Sequence, residues 1–316
     1  MTFCADASRD QAESLAGTAA TARTWLLLEQ PGPWGAKALT QSRLDPALGR
    51  FLESAPESGV RAALIRRPGR DARLGGARRV LLAHTPPGRA WVRTALIDDP
   101  EELRALDLAA LAAGDHGGFG EPHPGGPVAL VCTNGRRDRC CAMLGRPLAA
   151  ELAAAGHDVW ETTHIGGHRF SPTLLTLPHG YAWGRMSAAT ARHVLAELGE
   201  GRTVVDGCRG RSCWPRPAQA AELAVRRYGA DPHADALEVV DVVDTAGDDT
   251  VGTAGEPRPG RWRVTVARLD GRQHWEATVA EKATLPASPA SCGAAALPQS
   301  RMEVLAVRPL LPASAD

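Results

Sequence analysis

Residues 127–156, PVALVCTNGRRDRCCAMLGRPLAAELAAAG, constrain the fold of this chain more than any other stretch. PVALVCT is a short apolar run of the kind that forms a buried strand, and GRPLAAELAAAG (145–156) reads as a helix stopped by glycine. HDVWETTHIGG (157–167) then begins as a strand. TLLTLPHG and YAWGRM (173–186) read as a hairpin, and SAATARHVLAELGEG (187–201) as a capped, periodic helix. A further helix is expected over RPAQAAELAVRRYGA (216–230). Strand, helix, strand, hairpin, helix is the order of a small α/β domain of thioredoxin type.

The flanks suggest further units, because 316 residues exceed one core of ordinary size. Upstream, TWLLLEQPGPWG (24–35), VRAALIRRPG (60–69) and RRVLLAHTPPG (78–88) repeat an apolar run followed by a turn. WVRTALI (91–97) alternates as a half-buried strand does, and PEELRALDLAALAAG (100–114) has leucines at helical spacing. The Gly/Pro-rich stretch 114–126 reads as a boundary. Downstream, ALEVVDVVD (236–244) is a strand candidate followed by an acidic Gly/Thr loop, and RWRVTVARL (261–269) with QHWEATVAE (273–281) reads as an antiparallel pair. The tail 284–300, rich in Pro, Ala and Ser, reads as irregular. No internal repeat of fixed period is visible. The expected architecture is an N-terminal α/β domain (1–122), a thioredoxin-like domain (123–230) and a C-terminal β-rich extension (231–316).

Lys plus Arg equals Asp plus Glu at 36 each. A neutral balance gives no support to nucleic acid or a membrane surface as a bulk partner. Neither a signal peptide nor an apolar run of membrane-spanning length is read, so a cytoplasmic location is expected. In a reducing cytosol, clustered cysteines serve as metal ligands or redox groups more often than as structural disulfides. The count of seven cysteines also forbids complete pairing within the chain.

Three of those cysteines, Cys132, Cys140 and Cys141, fall within ten positions. His164 and His168 lie in the second strand-to-loop segment. Two thiolates and two imidazoles form a ligand set that suits zinc or an iron–sulfur centre. On a helix the two histidines would share a face, but Gly166 and Gly167 between them each cost roughly 1 kcal/mol there, so a loop is expected. Glycines let a loop backbone approach closely and donate N–H groups to bridging sulfides, which favours a cluster over a bare zinc ion. Arg136, Arg137, Arg139 and Arg169 would lower thiol pKa values nearby.

CTNGRRDRCC (132–141) and THIGGHRFSPTLLTLPHGYAWGRM (163–186) also closely resemble the sucrase/ferredoxin-like family, whose ferredoxin domain has a thioredoxin-like fold. Weaker similarity extends to GTAATARTWLLLEQPGPWG (17–35) and RGRSCWPRPAQAAE (209–222). The resemblance implies a [2Fe–2S] cluster held by Cys132, Cys141, His164 and His168, with both cysteines on one iron and both histidines on the other. Imidazole in place of thiolate raises the potential, and the free imidazole nitrogens would couple proton to electron transfer. Cys140 sits where family members often have another residue, so Cys140 in place of Cys141 stays open as a ligand. The implied role is single-electron transfer with an unidentified redox partner protein. The word sucrase carries no activity here, because no paired-carboxylate glycosidase site is visible. Neither G-x-G-x-x-G after a strand nor a P-loop is present, so nucleotide binding is unsupported.

Two other readings remain open at this level. One is a zinc-stabilised binding module. The other is a thiol oxidoreductase using Cys140 and Cys141, or Cys208 and Cys213. Cys208 and Cys213 read first as ordinary thiols in a turn. Cys4 and Cys292 read as incidental, and His179 as a solvent-facing turn residue and fallback ligand. Arg185 is read for docking, cluster tuning or a salt bridge, and Trp34 as a buried anchor of its turn.

Overall fold

The structure is a computed structural model describing residues 3–69, 76–229, 231–245 and 260–310. Its elements in the first third are α1 (Cys4–Asp10), β1 (Thr24–Glu29), α2 (Ala38–Gln41), α3 (Pro46–Ser54), β2 (Val60–Arg66), β3 (Arg78–His84), β4 (Trp91–Ile97), α4 (Leu108–Ala113) and β5 (Glu121–Pro122). There follow β6 (Val128–Cys132), α5 (Arg139–Ala154), β7 (Val159–Thr162), β8 (Leu174–Leu177), β9 (Tyr181–Trp183), α6 (Ala188–Gly199), β10 (Cys208–Arg211) and α7 (Arg216–Arg227). The last are β11 (Leu237–Asp244), β12 (Arg261–Arg268), β13 (His274–Pro289) and β14 (Ala296–Leu310). The chain is a mixed α/β protein, as its sequence predicts.

Strands β1 to β10 form one ten-stranded sheet in the order β10-β9-β8-β6-β7-β2-β1-β3-β4-β5. Its two halves share one plan. In each, a strand, a helical crossover and a parallel second strand (β1 with β2, β6 with β7) are followed by an antiparallel hairpin added on the other side of the first strand. The halves meet where β2 pairs antiparallel with β7, Ile65 opposite Thr162. The single sheet thus runs through the stretch that composition marks as a boundary. The duplication is invisible as a sequence repeat because it conserves only the order of apolar runs and turns.

Alternation assigns each strand's side chains to two cores. From β1, Trp25 and Leu27 enter one cluster with Leu130, Cys132 and Cys141, whereas Leu26 and Leu28 enter another with Leu48 and Leu52 of α3. Central β6 is buried at every position, as its uninterrupted apolar run requires. Strands β11 to β14 form a separate antiparallel sheet, which packs against α7 through Val264, Val266 and Trp275. Among the described residues, no helix is long and apolar enough to cross a membrane.

Three expectations need correction. The helix read over 100–114 is broken into a 3-10 turn (Pro100–Ala105) and α4, because Asp107 caps a new helix by accepting from the N–H groups of Ala109 and Ala110. The helix read from 145 starts at Arg139. The tail 284–300 is a hairpin arm and not irregular. Beyond Glu281, among the described residues, β13 pairs with β14, and the register shifts between Thr284 and Ser288. Pro286 and Pro289 are tolerated because, among the described residues, one edge of the strand carries no ladder bonds there and the bulge absorbs the mismatch. The acidic loop read after β11 lies, from residue 246 onward, outside the described residues.

His84 at the end of β3 gives this half of the sheet an acid-sensitive point. Its Nδ1 lies 2.9 Å from Thr24 Oγ1, and Trp91 stacks on the ring. Burial, aided by Arg23 and Arg89, pulls its pKa down to about 4. The unfolded chain therefore takes up this proton first as pH falls, and His84 withdraws stability between about pH 6.5 and pH 4 but not above that window. In thermal melts across this range, His84→Asn should lose less midpoint than wild type. Parallel curves would show that the imidazole does not titrate in this way.

Candidate metal centre

Cys132 is the last residue of β6, and the parallel neighbour β7 ends opposite it at Thr162. The loops leaving these two strand ends therefore start side by side. After β6 the chain turns into α5, which begins where the Asp138 side chain accepts the N–H of Cys140 at 2.9 Å. Cys141 lies in the first turn of α5 and is buried with Cys132 among Leu130, Trp160 and Ile165. After β7, Gly166 and Gly167 take φ values of 84° and 68°, so the segment is a loop, and His168 opens a 3-10 turn (His168–Phe170).

This arrangement brings Cys132, Cys141, His164 and His168 to one place. The histidine rings lie 4.9 Å apart between centroids. A hydrogen bond from the Cys141 side chain, ahead of contributions from His164 and the Asn134 N–H, holds the Cys132 thiol well below its ordinary range despite burial. The Cys141 thiol is pushed up, first by that hydrogen bond and then by burial. His168 is lowered by burial and by His164, and its Nε2 lies 3.9 Å from Asp138 Oδ2. The Nδ1 atoms of both histidines are buried without a hydrogen-bond partner. Two imidazoles, each with a partnerless Nδ1, and two thiols form a donor set suited to a soft metal group.

The arginines act differently from expectation. Arg136, Arg137 and Arg139 are exposed, and the main forces lowering Cys132 come from Cys141 and His164. Arg169 pairs with Glu13 at 2.7 Å and lies over the Phe170 ring. Arg185 donates to Ser8 O, Ser8 Oγ and Glu13 O, so it fastens the N-terminal segment. Sequence reasoning passed over Arg209. It is fully buried, donates to Gly166 O at 3.1 Å and Thr18 Oγ1 at 3.0 Å, and braces the histidine loop against the N-terminal segment.

Cys140 turns away from Cys141. Its Sγ lies 3.7 Å from Cys4 Sγ and 3.1 Å from Cys292 Sγ. Among the described residues, Cys4, Asp138, Cys140 and Cys292 are the set whose ligand atoms all lie within 4.8 Å of one another, a group able to hold a metal ion. Cys4 and Cys292, read as incidental, thus belong to a second cluster. No local motif announces it, since Cys4 and Cys292 are 288 positions apart. The adjacent cysteines Cys140 and Cys141 face different groups, which removes the geometry of a vicinal redox pair.

The remaining candidates lie elsewhere. Cys208 and Cys213 are buried, and burial first pushes each thiol up to about 12, which suits inert side chains. His179 is not solvent-facing; its side chain is 14% exposed and its Nδ1 meets Asp235 Oδ1 at 3.3 Å. Trp34 is buried as expected, and its Nε1 donates to Gln30 O at 2.9 Å.

Comparison with known proteins adds one finding. The family model described as sucrase/ferredoxin-like matches residues 15–210, which hold Cys132, Cys140, Cys141, His164 and His168. No curated protein and no solved structure matches the chain.

Proposed function

Because the chain belongs to the sucrase/ferredoxin-like family, we propose that it is an iron–sulfur electron-transfer protein in which Cys132, Cys141, His164 and His168 hold a [2Fe–2S] cluster. The observation that carries this reading is that the Cys132 thiol interacts with both Cys141 and His164, while the His168 ring lies 4.9 Å from that of His164 and both rings keep a buried Nδ1 without a hydrogen-bond partner. Such a cluster, when bound, accepts and releases one electron, with a potential above that of an all-cysteine centre.

The residues divide the work. Cys132 is already biased to the thiolate by Cys141 and His164. Asp138 Oδ2 lies 3.9 Å from His168 Nε2, and the ring's other nitrogen is buried without a hydrogen-bond partner. These four side chains do not gather as tightly as the Cys4 group does, as a ligand set divided between two irons requires. The cysteines are fully buried and the histidines half-buried, so a redox partner approaches the imidazole side.

Anaerobic purification followed by a visible spectrum and iron, acid-labile sulfide and zinc analysis tests the reading. A red-brown protein with about two irons and two sulfides per chain is expected. Cys132→Ser, Cys141→Ser, His164→Ala and His168→Ala should each lose that iron, whereas Cys140→Ser should keep it. Protein that stays colourless after iron and sulfide reconstitution would refute the reading. Iron lost in Cys140→Ser and kept in Cys141→Ser would reassign the ligand.

A further inference from the structure

We propose that Cys4, Asp138, Cys140 and Cys292 bind one zinc ion, at a site separate from the cysteine–histidine group, and that this ion clips three distant segments together. Cys4 opens α1, Asp138 and Cys140 start α5, and Cys292 lies in the tip of the β13–β14 hairpin. Cys4, Asp138 and Cys140 are buried and Cys292 half-buried.

The distances match one small tetrahedral ion. With Zn–S bonds of about 2.3 Å and a Zn–O bond of about 2.0 Å, a tetrahedron has S···S edges of roughly 3.8 Å and S···O edges of roughly 3.5 Å. Cys4 Sγ lies 3.7 Å from both Cys140 Sγ and Cys292 Sγ. Asp138 Oδ1, the oxygen that would be the fourth ligand, lies 3.7 Å from Cys4 Sγ and 3.2 Å from Cys292 Sγ. The Cys140–Cys292 edge, at 3.1 Å, is the short one. Three thiolates and one carboxylate at tetrahedral spacing suit zinc in a closed, structural site.

The surroundings support an ion. The Asp138 carboxylate is oriented by the N–H groups of Cys140 at 2.9 Å and Cys292 at 2.8 Å. Among the described residues, the basic group that meets this buried carboxylate among three thiols is the His168 ring, at 3.9 Å. A buried anion without a close counter-charge is costly, and a divalent cation at the centre of the four ligands resolves it. The ion would also fix the first turn of α5, where Cys141 follows Cys140, and the carboxylate that faces His168.

Metal analysis of the anaerobically purified full-length chain tests this site apart from the iron reading. One zinc per chain is expected in wild type and in the His164→Ala/His168→Ala double variant, and its loss in Cys4→Ser and Cys292→Ser. A variant-free readout is differential alkylation. In wild type, Cys4, Cys140 and Cys292 should resist a thiol reagent until a chelator is added, then react together. Three outcomes overturn the proposal: zinc retained by Cys292→Ser, no zinc in wild type after dialysis against Zn²⁺, or a peptide map showing Cys140 joined to Cys292 as a disulfide.

Discussion

Glu222→Ala is expected to destabilise the chain by about 3–5 kcal/mol, a large part of the whole stability of a typical fold. Glu222 lies on α7, the helix between the two sheets, and both it and Arg226 are buried. Arg226 Nε reaches Glu222 Oε1 at 2.6 Å, and the Tyr181 hydroxyl donates to the same oxygen at 2.6 Å. The guanidinium also bonds Tyr181 Oη, Ala234 O and His233 O. Burial opposes the Arg226 charge, but Tyr181 and Glu222 outweigh it and raise its pKa. Arg211, also buried, holds Asp235 at 2.8 Å beside the same Tyr181 ring. Removing Glu222 leaves a charged guanidinium without its carboxylate in this setting.

The expected result has a signature beyond lost stability. Replacing the pair together, Glu222→Leu with Arg226→Met, should recover much of the loss, because each single change strands a charge and the double change strands none. Denaturant melts of the four proteins in the cycle provide the measurement. A Glu222→Ala protein within 1 kcal/mol of wild type would mean that α7 does not depend on this pair, a figure set against the usual cost of breaking a buried one.

How much of this was legible beforehand depended on distance along the chain. The α/β plan, the buried run of β6, the glycine loop before His168 and the β12–β13 pair could all be read, because each rests on periodicity or on a turn within a few residues. Where α5 begins was hidden by its arginines, although Asp138 two residues before Cys140 was the capping signal. The duplicated sheet plan could not be read, since pairing β2 with β7 is a tertiary choice between edges that look alike. The bulged continuation of β13 was masked by prolines that usually end strands. The Cys4 cluster is the extreme case. Its members sit in a short helix, a helix cap and a hairpin tip, and only the packed fold shows that they share a centre.

Gly145→Ala gives the sharpest test of how the candidate site is held, because intrinsic propensity predicts the wrong sign. In the interior of a helix, alanine is favoured over glycine by about 1 kcal/mol. At 145, however, α5 crosses the end of β6 so closely that an added Cβ falls on the carbonyl oxygen of Cys132. Backbone on both sides leaves nothing flexible to yield, so α5 must lift from the strand. A loss of about 1–3 kcal/mol is expected in place of a gain. The lift also draws Cys141 from Cys132, so the iron of the proposed cluster should fall with stability. Gly199, the last residue of α6, is the control, since a Cβ there meets nothing within 4 Å. Gly199→Ala should be neutral or stabilising and keep its metal. Melting temperature and iron content measured on both variants decide the matter. If Gly145→Ala melts with wild type and keeps its iron, the contact between α5 and β6 does not set the spacing of the two thiols.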